Sequence, residues 1–254
     1  MSYNNYNYNN NQSGSQASDL FPSLWTNEDE LERATSSCLA RVFLRMLAAL
    51  LVTALAAFAT ISSDAMLMFV FGNGVTFIGL IILEIVLVIA ISAGINRMSS
   101  TTASMLFFLY AIINGITLSV IFFAYELGII YHAFAISALM FAAMAIYGTV
   151  TRKDLTSIGS LCTMGLFGII IASIVNMIFL RSEMLEIVVS YVGVLVFVGL
   201  TAFHTQRIKK NLRSANADSQ MEAIQKISVL GALTLYLDFI NLFLKMLRIL
   251  GRRR

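Results

Sequence analysis

The sequence predicts an all-α membrane protein, with seven transmembrane helices and the last helix central in the bundle. Three observations carry this. Of 254 residues, 58% are hydrophobic and only 12% charged, whereas soluble domains run about 45–50% apolar and about 25% charged. The apolar residues fall in continuous runs of helix-spanning length rather than in the period-two alternation of a barrel. The last run, Ile227–Leu250, carries polar residues on one line: Thr234, Asp238, Asn241 and Lys245, extended by Gly231 and Arg248. Spacings of three and four put them on one helix face. A charge buried in a bilayer costs roughly 2.5–3.5 kcal/mol on insertion scales. Such a line belongs against protein or water, so this helix is expected to be enclosed by the other six.

The elements follow in order. Residues 1–25 read as a disordered Asn/Tyr-rich tail, too polar to bury a core. The membrane domain is 26–254. Thr26 and Asp29 resemble a capping box that starts a short juxtamembrane helix, 27–41. The spans are placed at about 42–61, 75–95, 104–125, 129–150, 158–180, 184–205 and 227–250, each close to the ~20 residues that cross a bilayer. Asp64 lies in the first connection, Gly72-Asn73-Gly74 signals a turn before the second span, and a basic loop covers Arg207–Lys226. The single proline, Pro22, precedes the spans, so none is proline-kinked. Gly165 and Gly168 suggest a close helix contact.

Lys and Arg set the orientation. With the N-terminus inside, the inner segments hold eleven of them, and the outer connections hold only Arg181. The positive-inside rule therefore predicts a cytoplasmic N-terminus. The C-terminus breaks the pattern: Lys245, Arg248 and Arg252–Arg254 end outside if the last helix crosses. Either it crosses and these side chains snorkel, or it is re-entrant and ends on the cytoplasmic side. Basic residues at helix ends argue for membrane topology and against nucleic acid. Cys38 and Cys162 read as small apolar residues rather than a disulfide.

An enzyme is not expected. His132 and His204 are the only histidines, with no HExxH motif or Cys/His cluster. No GxSxG motif appears, and Asp238 lacks the second intramembrane aspartate of an aspartyl protease. No cofactor is expected.

Three motifs resemble the Bax inhibitor-1 family of bacterial-type multi-pass membrane proteins: LYLDFINLFLKMLRILG at 235–251, GITLS at 115–119 and GLTAFHTQRIK at 199–209. The resemblance spans about Arg41–Gly251. It implies seven helices, the last wrapped by the other six, and a pH-sensitive calcium leak in a plasma (inner) membrane. It also implies a proton-sharing aspartate latch between helices six and seven. The helix-seven member matches Asp238. The helix-six position matches His204, a departure that changes the chemistry. Two close carboxylates cannot both ionise cheaply; a histidine facing an aspartate instead forms an ion pair when protonated. Asp238 and His204 are thus the candidate gate and pH sensor.

Glu84 matches a helix-two glutamate of the family. It reads either as a second acidic lining residue or as a hydrogen-bonded glutamic acid. Hard Ca²⁺ prefers carboxylate oxygens, so Asp238 and Glu84 are the candidate transient metal ligands. Arg97 resembles a family arginine that supports the latch, or is an ordinary positive-inside anchor. Asn241 and Lys245 are further pore or latch candidates. Asn114, Thr117, Ser119 and Asn176 read as interhelical glue. The main function expected is a cation leak channel for calcium. The alternative is a non-channel regulator that binds a membrane protease or stress-response partner.

Overall fold

A computed structural model describes residues 22–217 and 221–251. Helix α1 is Pro22–Ile61, α2 Asp64–Phe71, α3 Gly74–Gly94, α4 Ser100–Leu118, α5 Ile121–Ala124 and α6 Leu127–Val150. Then come α7, Thr156–Val175, which ends in a π turn over Asn176–Leu180; α8, Glu183–Ala217; and α9, Met221–Leu250. Among the described residues seven helices are long and apolar enough to cross a membrane. They are α1, α3, α4 with α5, α6, α7 with its π turn, α8 and α9.

Several boundaries differ from those read in the sequence. The juxtamembrane helix 27–41 and the span 42–61 belong to one unbroken helix, Pro22–Ile61, so Thr26 lies inside it rather than at its start. No glycine or proline interrupts 27–61, and nothing chemical ends the helix there. Asp64 opens a short helix, with Ser63 Oγ accepting from Met66 N. The first part of the basic loop is helical, because α8 continues to Ala217. Residues 1–21 of the predicted tail, and Arg252–Arg254, lie outside the described residues.

Side-chain caps open α3, where Gly72-Asn73-Gly74 signals a turn, and also α4. Asn73 Oδ1 accepts from Val75 N at 3.1 Å, and Ser99 Oγ from Thr102 N at 3.1 Å. Each satisfies an amide that the first helical turn leaves unpaired.

Helix α9 is the most enclosed. Of its most apolar stretch 67% is buried, against 11% for α3 and for α7 with its π turn. It packs chiefly on α8, α1, α6 and α4, so four of the six other spans wrap it closely. The more exposed α3 packs on α4, and α7 on α8. Close approach is made by small residues. A Cβ on Gly115 of α4 would strike the Thr53 carbonyl of α1, and one on Gly148 of α6 would strike the Ala202 carbonyl of α8. Gly168 faces open space, and a Cβ on Gly165 would stand 3.0 Å from a Val196 methyl of α8. Gly165 is thus in close contact and Gly168 is not, while the approaches onto backbone are at Gly115 and Gly148.

Candidate functional site: a polar seam between the last two helices

The polar line of α9 lies along α8. Gly231 is packed by Ile208, and the Lys245 stem lies 3.0 Å from where a Gly193 Cβ would stand. Asp238 meets His204. Arg248 Nη1 reaches Glu186 Oε1 at 3.3 Å. Because α8 runs antiparallel to α9, residues 208, 204, 193 and 186 meet 231, 238, 245 and 248 in turn. The unbroken 30-residue helix thus reaches from the basic end of α8 to its start, as a crossing helix does and a re-entrant one does not.

At the centre of the seam His204 Nδ1 and Asp238 Oδ2 share a 2.7 Å hydrogen bond. Asp238 is only 4% exposed, and the His204 side chain is 21% exposed. The carboxylate is therefore shut off from its surroundings while its partner keeps some access. Phe203 lies beside the imidazole, ring centroids 5.4 Å apart.

The other candidates are placed differently. Asn241 Nδ2 donates to Leu237 O of its own helix at 2.8 Å. Lys245 is packed on Gly193 and forms no ion pair with Asp238. Arg97 is exposed and in no ion pair among the described residues, so it does not support the latch here. It follows α3 at a membrane edge, where water solvates it better than a buried carboxylate would.

Glu84 belongs to a second polar cluster. Thr117 Oγ1 donates to its Oε1, and Asn114 Nδ2 donates to its Oε2 at 3.2 Å. Asn114 Oδ1 in turn accepts from Tyr236 OH at 3.0 Å, and Tyr236 OH shares a 2.7 Å hydrogen bond with Thr53 Oγ1. This chain crosses α3, α4, α9 and α1. Asp238 and Glu84 are not drawn into one metal site, and no cluster of three or more His, Cys, Asp or Glu with metal-holding geometry occurs among the described residues. Tyr236 and Asp238 sit two residues apart, so they point to different neighbours.

Sequence reasoning passed over Tyr236, Thr53 and Glu186. Tyr236 carried a signal, since a buried tyrosine hydroxyl needs a partner. Thr53 and Glu186 carried none, because their partners are remote in sequence.

Comparison with known proteins agrees with this architecture. Residues 35–254 match the family described as Inhibitor of apoptosis-promoting Bax1. The chain is 46% identical over 216 residues to the inner membrane protein YbhL of Escherichia coli strain K12, covering 85% of this chain and 92% of that one. It is 45% identical over the same shares to an uncharacterized protein of Borreliella burgdorferi. An uncharacterized membrane protein of Streptococcus pyogenes is 38% identical over 68% of this chain and 73% of its own. The chain is a multi-pass membrane protein and belongs to the Bax inhibitor-1 family.

Proposed function

We propose that the protein is a pH-responsive leak for cations, calcium foremost, gated by the contact between His204 and Asp238. Its setting would be the inner membrane, as the name of the Escherichia coli relative says of that protein. The observation that carries the reading is the 2.7 Å contact joining a buried aspartate to a histidine on the neighbouring span. An ionisable group at membrane depth is costly to bury, and such a group is by default a functional-site candidate.

The chemistry runs through two states of one contact. With His204 protonated, the pair is a charge-assisted hydrogen bond, roughly twice as strong as a neutral one. Loss of that proton as pH rises leaves a neutral imidazole beside a lone carboxylate, α8 and α9 are held less tightly, and Asp238 is freer to meet a cation. A carboxylate oxygen is the hard ligand that calcium prefers. The ion passes as cargo and is not a resident cofactor.

Calcium flux in proteoliposomes from about pH 5 to pH 8 tests this. The wild type should leak more at the higher pH. Asp238→Asn should remove the pH response, and His204→Asp should move its midpoint. Identical profiles for wild type and His204→Asp would sink the gate. No flux from the wild type, with a co-purifying membrane protein, would favour the regulatory alternative.

A further inference from the structure

Helices α1 and α6 each pack on α9 but scarcely on each other. Between them runs a groove of about 450 Å³, open to the membrane. Its walls include Phe43 and Leu50 of α1 and Ala138, Ala142 and Phe141 of α6, with Phe239 of α9 as the floor. Phe134 and Phe141 stand edge-on to Phe239 at 5.5 and 5.7 Å, so the slot is stiff. The small side chains of Ala138, Ala142 and Ala145 leave it open along α6. From Phe134 to Thr149 it follows α6 for about 22 Å, at 1.5 Å per residue. Water gains nothing from apolar walls, and an unfilled slot forfeits dispersion contacts.

One end is different in kind. Thr149 lines it, and Lys209 Nζ of α8 donates to the Thr149 carbonyl at 3.0 Å. That uses one of three ammonium donors. Lys209 is half-buried and in no ion pair among the described residues. Arg152 and Lys153 follow Thr149 in the chain, and their loop is fastened to α8. Gln206 donates to Lys153 O at 2.8 Å and accepts from Leu155 N at 2.9 Å. Lys210 is near the loop's one carboxylate, Asp154. The carbonyl end of α6 carries about half a negative charge, and these four cations outweigh it together with Asp154.

We propose that this groove binds an anionic glycerophospholipid from the leaflet on the basic face. One acyl chain lies between α1 and α6, and the phosphodiester headgroup sits at Lys209 and Arg152. An apolar slot that ends in unspent cations matches a ligand that is an apolar rod ending in an anion. Basic pockets between membrane helices recognise anionic headgroups in this way.

Native mass spectrometry of the purified full chain tests it, with phosphatidylglycerol against phosphatidylcholine of the same acyl chains. The wild type should retain phosphatidylglycerol preferentially. Lys209→Gln and Arg152→Gln should each reduce that preference, by roughly five-fold at about 1 kcal/mol per charge. Arg152→Gln removes no structural contact, so it remains informative if Lys209→Gln unfolds. Ala142→Leu should lower retention of both lipids by filling the slot. Arg97→Gln, a charge removed from α3 instead, should change nothing. Equal retention of the two lipids by the wild type overturns the proposal, as does an Arg97→Gln effect equal to that of Arg152→Gln. Unchanged retention by Ala142→Leu overturns it too.

Discussion

Asp238 and Glu84 each interrupt an apolar helix, but one faces a histidine and the other faces two neutral donors. Asp238 is almost sealed, and its partner is His204. Glu84 is half-buried on the outer helix α3, held by Thr117 and Asn114. A histidine partner lets the strength of the contact change with pH. Amide and hydroxyl donors keep their hydrogens over the whole physiological range. The first arrangement suits a switch, and the second suits a fixed brace. Position in a membrane span alone does not separate them; the identity of the partner does.

The largest expected effect breaks this comparison directly. Asp238→Asn should flatten the pH dependence of flux. Glu84→Gln, which keeps an acceptor for Thr117 or Asn114, should leave its midpoint in place. A midpoint that moves with Glu84→Gln, as far as it does with His204→Asp, would assign the switch to the wrong cluster. Measuring both variants in the same liposomes decides it.

A second substitution probes the brace through stability rather than flux. Tyr236 is fully buried and binds Thr53 and Asn114. Tyr236→Phe keeps the ring packing against Phe107 and Tyr110 but leaves the Asn114 oxygen without its donor. An unsatisfied buried group costs about 1–3 kcal/mol. The thermal midpoint in detergent should fall accordingly, and the pH response of the remaining folded protein should be unaltered. A shift in that response would mean that the two clusters are coupled through α9.

The sequence showed the seam more clearly than the brace. Asp238 and its line of polar neighbours are visible because helical periodicity puts residues three and four apart on one face. The partner on α8 was legible only through the family motif around His204. Glu84 as a hydrogen-bonded acid and Asn114 and Thr117 as interhelical glue were legible one by one, but their pairing was not, because the cluster comes from four helices and no periodicity links Glu84 to Asn114 or Thr53. The same reason explains the glycines. Gly165 and Gly168 have the familiar spacing, yet the tight crossings are at Gly115 and Gly148, single glycines facing backbone on another helix. The switch from charged to apolar residues near residue 41 marks no boundary in α1. Helix geometry is indifferent to that change.

Asp154 sharpens the comparison from outside the bilayer, as a carboxylate held by neutral donors in water. Its Oδ1 accepts from the Thr156 hydroxyl at 2.6 Å and from the Thr156 amide at 3.0 Å. The Thr156 hydroxyl first, then the amide, and more weakly Lys210, hold this carboxyl below the usual range. A group whose acidity is strengthened by folding stabilises the fold above its unfolded value, about 3.9 for aspartate. That contribution is lost as pH falls through the lower folded value. The Asp154→Asn variant does not titrate at this position, so its thermal midpoint minus that of the wild type isolates the group. The wild type should be slightly the more stable above about pH 5, with the difference shrinking steadily below about pH 4. This effect should be the smallest of the three, since the site is fully exposed. A difference that grew on acidification would mean that the Thr156 contacts favour the protonated acid. Neutral donors would then not suffice to hold a carboxylate charged at this membrane edge, and the brace assigned to Glu84 would need a cation after all.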